Sequence, residues 1–312
     1  MSRVGVYAGA GAASAVAVGM AISRAGDEPG ALSNWQALVL GVVQGLTELL
    51  PISSSGHLVL VPWLADWRYL EQNPAFNHTF DVALHLGTLV AVALYFRRDG
   101  VILTRAAFAA VRDRAVETTE QRIALYLALA TVPAALAGAL GESFIVDELG
   151  EPWQIAIFLS VFGVLLYAAD RRPAERTTGD MRLRDALLVG VAQVAALAPG
   201  VSRSGVTITM ARVLRLDRDS AARFSVLLLL PTTLGAVIWK GIQDVVLGDL
   251  PPGSGGPFLV GTLAAAVSGL FAIWALLGYV RRRTYTVFVV YRLIAAAVVG
   301  LLILTGVQSA GF

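Results

Sequence analysis

Residues 44–58 read Gln44-Gly-Leu-Thr-Glu48-Leu-Leu-Pro51-Ile-Ser-Ser-Ser-Gly-His57-Leu and place charged and hydroxyl side chains within an otherwise apolar region. Gln44 and Glu48 are four residues apart, so they share one face of a helix. Pro51 breaks that helix because proline lacks the amide hydrogen. The serines that follow can cap a second helix and expose its amide groups. The stretch therefore predicts a helical hairpin with polar groups gathered at its break.

The composition indicates that this hairpin lies in a membrane. Hydrophobic residues make up 56% of the 312-residue chain and charged residues only 15%, whereas soluble domains have about 25% charged residues. The apolar segments are 4–22, 35–50, 53–65, 82–97, 122–141, 153–169, 186–198, 204–214, 222–239, 258–280 and 287–307. A span needs roughly 20 apolar residues, so 35–50 is marginal and 53–65, 186–198 and 204–214 are too short. Short segments interrupted by proline and glycine are typical of re-entrant hairpins.

The two hairpins have similar sequences. Gly41-Val-Val-Gln recurs as Gly190-Val-Ala-Gln, and Ser53-Ser-Ser-Gly recurs as Ser202-Arg-Ser-Gly at the same offset. Chance similarity in a Gly/Val/Ser-rich chain is the alternative interpretation. Because both blocks coincide with short segments, we favour an inverted-topology repeat, which places its site near the membrane midplane. The repeat halves are about 35–141 and 153–307.

Charge in the loops orients the chain. Arginines cluster in three loops, which the positive-inside rule places in the cytoplasm. These loops are 97–122, 170–185 and 281–283. The two hairpins then enter from opposite faces, provided that segment 4–22 crosses the membrane. We favour an uncleaved transmembrane helix there, within an N-terminal extension 1–34, over a cleaved signal peptide or a signal anchor. The membrane domain is 35–312.

Other counts exclude several classes of protein. The chain has no cysteine, which excludes disulfides, thiolate metal sites and cysteine nucleophiles. Its net charge of +2 gives no argument for nucleic acid as a partner. Membrane lipids are the expected surroundings, and the sequence leaves a homodimer open.

The second hairpin is suited to binding phosphate. It reads Pro199-Gly-Val-Ser-Arg-Ser-Gly-Val-Thr207. Its hydroxyls lie at the start of a helix, where free amides and the helix dipole attract anions. Arg203 adds a planar charged fork that matches phosphate oxygens. The alternative is that Arg203 only pairs with Glu48 across the hairpins, as it can in the empty state. Together the hairpins supply what phosphoryl transfer needs, which is mainly positioning and charge stabilisation.

Ionisable residues inside a membrane are functional candidates by default. For Glu48 and His57 the alternative is that they merely pair with each other or face water. Asp81 and His85 lie one turn apart at the start of an external helix. Lining the entrance to the site is one interpretation, and capping or a solvated face is the simpler one. Arg292, beside Tyr291 in the last helix, is explained by snorkelling to the cytoplasmic interface.

These motifs resemble a known family. Gln44-x-x-x-Glu48 followed by Pro51-x-Ser-Ser-Ser-Gly-His is similar to the first signature of the undecaprenyl-diphosphatase family, also called bacitracin-resistance proteins. Pro199-Gly-x-Ser-Arg-Ser-Gly-x-Thr resembles the second signature, and Phe80-Asp-Val-x-x-x-x-Gly-Thr resembles the helix after the first. The resemblance runs from about residue 35 to 307.

The resemblance implies hydrolysis of undecaprenyl pyrophosphate to the monophosphate, the lipid carrier of cell-wall synthesis, and thereby bacitracin resistance. It implies an all-α polytopic fold with an inverted repeat, two re-entrant hairpins and a site open to the external side of the cytoplasmic membrane. It also implies a divalent cation, Mg²⁺ or alternatively Ca²⁺. Glu48 is the implied acid near the metal or the nucleophile, and Ser54 and His57 are the nucleophile candidates. Arg203 is implied to hold the pyrophosphate, and the implied substrate-binding residues are Gln44, Ser53, Ser55, Ser202, Ser204 and Thr207.

Two features depart from the family pattern. Gln44 stands where many members have a second Glu, which argues against a two-carboxylate metal site. The extension 1–34 is longer than expected. The competing function is a transporter or flippase for an anionic lipid, because inverted repeats with broken helices are also a transporter architecture. A cluster of Glu, Ser and His exceeds what binding alone needs, which favours chemistry.

Overall fold

A computed structural model describes residues 32–241 and 255–311, and the predicted helix 4–22 lies outside this part. The described chain is built from α-helices and two short 3₁₀ turns, Thr178–Asp180 and Ala195–Leu197. The α-helices are α1 (Asn34–Leu49), α2 (Ser54–Ala65), α3 (Arg68–Gln72), α4 (Pro74–Tyr95), α5 (Arg97–Asp113), α6 (Thr119–Glu148), α7 (Pro152–Asp170), α8 (Leu183–Val194), α9 (Arg203–Val213), α10 (Arg218–Gly241), α11 (Gly255–Val280) and α12 (Thr286–Leu304).

Six of the described helices are long and apolar enough to cross a membrane. The spans are Phe76–Tyr95, Thr119–Gly141, Pro152–Asp170, Arg218–Ile238, Gly255–Val280 and Thr286–Leu304. They fall on α4, α6, α7, α10, α11 and α12. The chain is therefore an all-α polytopic membrane protein, as the sequence predicts.

The predicted helical hairpins are α1–α2 and α8–α9. Helix α2 has 12 residues and α9 has 11, which gives each a length of roughly 18 Å. A bilayer core is about 30 Å thick, so neither helix can cross it alone. The breaks lie where the sequence predicts them, at residues 50–53 and 195–202.

The two breaks have the same local geometry. Ser53 has φ 80° and Ser202 has φ 77°, a region that side-chain-bearing residues rarely adopt. Each serine caps the next helix: its Oγ accepts from the amide of Gly56 at 3.4 Å or of Gly205 at 3.0 Å. The repeated sequence thus folds into a repeated turn. The opposite orientation of the two hairpins in the membrane stays a prediction.

Small residues let the first hairpin pack closely on α11. A Cβ atom at Gly45 would lie 2.0 Å from the Ser268 Oγ and 2.4 Å from the Ala265 carbonyl oxygen. One of these neighbours is backbone, so it cannot move aside cheaply. This contact fixes α1, and therefore the first helix break, against a membrane span.

Replacing Gly45 with alanine is expected to destabilise the protein by about 2 kcal/mol or more, since overpacking a close contact forces the helices apart. Thermal unfolding of the purified protein in detergent measures this. Gly278→Ala is the matched control, because a Cβ there meets nothing within 4 Å. Equal unfolding temperatures for the two variants would show that α1 is not held by this contact.

A cluster of ion pairs around the buried Asp170 connects the ends of several helices. Asp170, at the end of α7, lies 2.7 Å from the Arg218 Nε and 3.3 Å from the Arg212 Nε. Its second oxygen accepts from the Tyr285 amide at 3.0 Å. One carboxylate therefore connects α7, α9, α10 and the start of α12.

The arginine-rich segment 97–122 is not a simple loop, contrary to the sequence interpretation. Most of it forms the 17-residue helix α5, in which no residue is buried. The many arginines had suggested a solvated connection, whereas the apolar residues between them allow an amphipathic helix.

Candidate active site

The carboxylate of Glu48 is the centre of the cluster at the first helix break. Glu48 is in the last turn of α1 and is only 7% exposed. The Ser54 Oγ, at the first residue of α2, lies 2.5 Å from the Glu48 Oε2. An ionised carboxylate can only accept, so the serine hydroxyl donates. A hydroxyl that donates to a buried base is the arrangement of an activated nucleophile.

Arg203 reaches the same carboxylate from the second hairpin. Its Nε and Nη2 lie 3.4 Å and 3.3 Å from the Glu48 Oε1, and its Nη1 donates to the Ser225 carbonyl at 2.9 Å. The pairing predicted for the empty state is therefore present. Its contacts to Glu48 are long for a charge-assisted bond, whereas its bond to the Ser225 carbonyl has an ordinary length.

His57 has partners other than Glu48. Its Nδ1 lies 2.6 Å from the Ser53 carbonyl oxygen, which can only accept, so this nitrogen carries the hydrogen. In the neutral ring the Nε2 then accepts from the Tyr291 hydroxyl at 2.7 Å. The two rings also stack, with centroids 5.6 Å apart. Both imidazole nitrogens are engaged, which disfavours His57 as the nucleophile.

His85 borders the cluster from α4. Its Nε2 lies 3.7 Å from the Glu48 Oε2, and its Nδ1 lies 2.7 Å from the Asp81 carbonyl oxygen. Its position beside Glu48 favours the alternative that His85 lines the entrance over capping or a solvated face. The signal that could have placed it is its position inside the Phe80-to-Gly87 motif.

Arg292 does not snorkel to the interface, contrary to the sequence interpretation. The side chain is 0% exposed, and its partners in the described part of the chain are all backbone carbonyls. Its bonds go to Leu159 (3.0 Å), Pro51 (3.2 Å), Phe158 (3.3 Å), Gly200 (3.0 Å) and Val201 (3.1 Å). These carbonyls belong to α7 and to both helix breaks. Arg292 thus joins the two hairpins directly behind the cluster.

Two other predicted site hydroxyls, those of Ser53 and Ser204, also hold the hairpins together. The Ser53 Oγ accepts from the Gly200 amide at 3.1 Å, and the Ser204 Oγ donates to the Leu50 carbonyl at 3.0 Å. The Thr207 Oγ1 lies 2.7 Å from the Ser225 Oγ. Thr207 also donates to the Arg203 carbonyl at 2.8 Å. Longer contacts join Ser55 to Ser53 at 3.5 Å and Ser202 to Ser204 at 3.2 Å. Substrate binding by these hydroxyls stays a prediction.

The buried amide of Gln44 offers an oxygen close to Glu48. Gln44 is 0% exposed, and neither its amide oxygen nor its nitrogen has a hydrogen-bond partner among residues 32–241 and 255–311. It lies one helical turn before Glu48 on α1. In the described part of the chain no three His, Cys, Asp or Glu residues form a metal cage. One carboxylate and one amide oxygen still suit Mg²⁺, which takes one or two carboxylates, substrate phosphates and water.

Comparison with known proteins agrees with this geometry. The sequence profile of the bacitracin resistance protein BacA family matches residues 37–298, more than four fifths of the chain. The chain belongs to the BacA family. The match covers both helix breaks and extends into α12, so every residue of the cluster lies within it.

Several relatives of this BacA-family chain have a stated activity. The chain is 48% identical over 266 residues to the undecaprenyl-diphosphatase of Gemmatimonas aurantiaca, covering 85% of this chain and 96% of that protein. It is 44% identical to the undecaprenyl-diphosphatase of Pelotomaculum thermopropionicum, covering 89% and 99%. The undecaprenyl-diphosphatase of Geobacter sulfurreducens is 46% identical, with 84% and 96% covered.

Proposed function

We propose that this BacA-family protein is an undecaprenyl-diphosphatase. It removes the terminal phosphate of undecaprenyl pyrophosphate, which returns the monophosphate as lipid carrier to cell-wall synthesis and confers bacitracin resistance. The relatives named above support the substrate. The observation that carries the chemistry is the Ser54 hydroxyl, which donates to the Glu48 carboxylate at 2.5 Å beside Arg203.

The geometry favours Ser54 as nucleophile and Glu48 as base. The Ser54 Oγ attacks the terminal phosphorus while its proton passes to Glu48. The bond from that phosphorus to the bridging oxygen breaks, and the lipid monophosphate leaves with the proton. Water then attacks the phosphoserine, Glu48 takes its proton and returns it to the Ser54 Oγ, and inorganic phosphate departs.

Arg203 holds the pyrophosphate during both steps. Its fork is already within reach of Glu48 and opposite Ser54, so it can bind phosphate oxygens where the reaction occurs. The amides at the N-terminus of α9 add to the same positive field. Because the charge of the transferring group is spread over its oxygens, these fixed donors stabilise the transition state.

His57 acts as a positioning residue in this proposal. Its bond to the Ser53 carbonyl fixes the strained turn directly before Ser54. Tyr291 fixes the imidazole in turn by donating to its Nε2. Two hydrogen bonds, from Tyr291 to His57 and from His57 to Ser53, thus connect α12 to the residue before the nucleophile.

A divalent cation fits the same place, and we propose Mg²⁺, with Ca²⁺ as the alternative. Glu48 and Gln44 would hold it together with the pyrophosphate oxygens. The cation supplies charge neutralisation to the substrate when it is bound.

The site is proposed to open to the external side of the cytoplasmic membrane. The bias of arginine toward the segments 97–122, 170–185 and 281–283 supports this orientation. A homodimer stays a prediction.

Phosphate release from undecaprenyl pyrophosphate by the purified protein in detergent tests the proposed activity. Release is expected with Mg²⁺ and is expected to stop when a chelator removes the metal. Full release in chelator would contradict the proposed cation. If well-folded protein released no phosphate across several prenyl lengths and metals, the enzyme proposal would fail in favour of a transporter or flippase.

Tyr291→Phe is expected to lower kcat about tenfold with little change in KM, because it removes the donor to His57 but keeps the stacked ring. The unfolding temperature should stay within about 2 °C of the wild-type value. Tyr279→Phe is the control, since Tyr279 packs against the core away from the cluster. An unchanged kcat in Tyr291→Phe would remove Tyr291 from the proposed support of Ser54.

A further inference from the structure

Helix α5 presents apolar and cationic side chains outside the protein core. It joins two membrane spans, α4 and α6, yet contains no buried residue. Phe108 is 71% exposed and Val111 is 79% exposed. Apolar side chains with many arginines on one helix are typical of a helix that lies in the headgroup region of a bilayer. The arginines are Arg97, Arg98, Arg105 and Arg112.

A groove of about 500 Å³ runs between α5 and its neighbours. Its apolar lining comes from Ala93 and Phe96 near the end of α4, Val101 of α5 and Leu230 of α10. Arg97 and Arg105 line the same groove. The volume lies within the range of small-molecule binding sites, and the lining combines an apolar floor with two cations.

The two groove arginines are available to an anion. Arg97 makes only a long bond to the Leu94 carbonyl, at 3.4 Å. Arg105 makes no hydrogen bond or ion pair to any of residues 32–241 and 255–311. By contrast, Arg112 on the same helix pairs with Asp113 at 2.7 Å and does not line the groove. The groove therefore contains two arginines without a strong partner, whereas Arg98 and Arg112 of the same helix lie outside it.

We propose that this groove binds an anionic phospholipid of the surrounding bilayer. The headgroup phosphate lies between Arg97 and Arg105, and an acyl chain follows Ala93, Phe96 and Leu230. Arginine suits a phosphate because its planar fork donates to two oxygens at once. No residue of the Glu48 cluster lines the groove, so this is a second lipid site, independent of the proposed hydrolysis.

Native mass spectrometry tests the site, with the full chain in mild detergent titrated with phosphatidylglycerol. The double variant Arg97→Gln/Arg105→Gln is expected to bind the lipid about tenfold more weakly than wild type. Arg98→Gln/Arg112→Gln removes the same charge from the same helix outside the groove, and it should change binding less than about twofold. Ala93→Trp keeps all charges but fills the groove, so it should also weaken binding about tenfold.

Three outcomes would overturn the proposal. The first is an equal loss in both arginine variants, which would indicate general attraction by a cationic helix. The second is unchanged binding in Ala93→Trp and the groove arginine variant. The third is tighter groove-dependent binding of undecaprenyl phosphate than of phosphatidylglycerol. Phosphate release is measured separately on each variant, so a failure of the proposed activity stays distinguishable from a failure of this site.

Discussion

Replacing Ser54 with alanine is expected to lower the rate of phosphate release by at least about 10³-fold. The substitution removes the oxygen that attacks phosphorus, while Arg203 and the cation site remain. Any residual rate would come from direct attack by water. Ser54 is 9% exposed and its side chain makes one bond, to Glu48, so the fold should survive. Phosphate release and the unfolding temperature, measured on the same preparation, separate the two effects.

Ser55→Ala is the matched control for this prediction. Ser55 is the next residue along α2, and its hydroxyl has only a 3.5 Å contact with the Ser53 Oγ. The rate should fall less than about tenfold, since no atom proposed to react is lost. A Ser54→Ala protein that kept its rate within tenfold of wild type would show that another group, water or His57, attacks the phosphorus.

Arg292→Met is expected to destabilise the protein by on the order of 3 kcal/mol, because it leaves several buried carbonyl oxygens without a donor and each unsatisfied group costs about 1–3 kcal/mol. Methionine fills a similar length but donates to none of the five carbonyls that Arg292 now satisfies. Both helix breaks then lose the contact that joins them, so phosphate release should fall with the stability. Thermal unfolding in detergent measures the first effect and the activity assay the second.

A graded series makes this second prediction specific. Arg292→Lys should lie between wild type and Arg292→Met, because an ammonium group reaches some of the carbonyls but lacks the planar fork. Arg283→Met, at an exposed position before α12, should unfold within about 2 °C of wild type. If Arg292→Met behaved like Arg283→Met, the two hairpins would be joined by other contacts.

The hairpins were predictable because their determinants are local. Pro51 and Gly200 interrupt the helices, and Ser53 and Ser202 cap the next ones by bonds within three residues. Helix α5 is not predicted, because an arginine-rich segment between two membrane spans is interpreted first as a cytoplasmic loop. The arginines indicate on which side of the membrane the segment lies. The apolar side chains between them, such as Val101 and Phe108, indicate that it is helical.

The Glu48–Ser54–Arg203 centre was predictable because each hairpin contains its own part of it. The sequence does not predict Tyr291 or Arg292 as parts of the site, and it offers His85 only as a residue at the entrance. The bond from His57 to Tyr291 joins residues 234 positions apart. Spacing in the sequence predicts contacts within one helix or turn, so it cannot predict this one. For Arg292 a usable signal existed, since an arginine within a membrane span is a functional candidate by default.

The stereochemical course at the terminal phosphorus tests the proposed chemistry most directly. Wild-type protein would hydrolyse undecaprenyl pyrophosphate made chiral with oxygen isotopes and sulfur at that phosphorus. Attack by Ser54 followed by attack of water inverts the configuration twice, so the released thiophosphate should show net retention. Net inversion would mean that water attacks in a single displacement, and it would contradict the role of Ser54 as nucleophile.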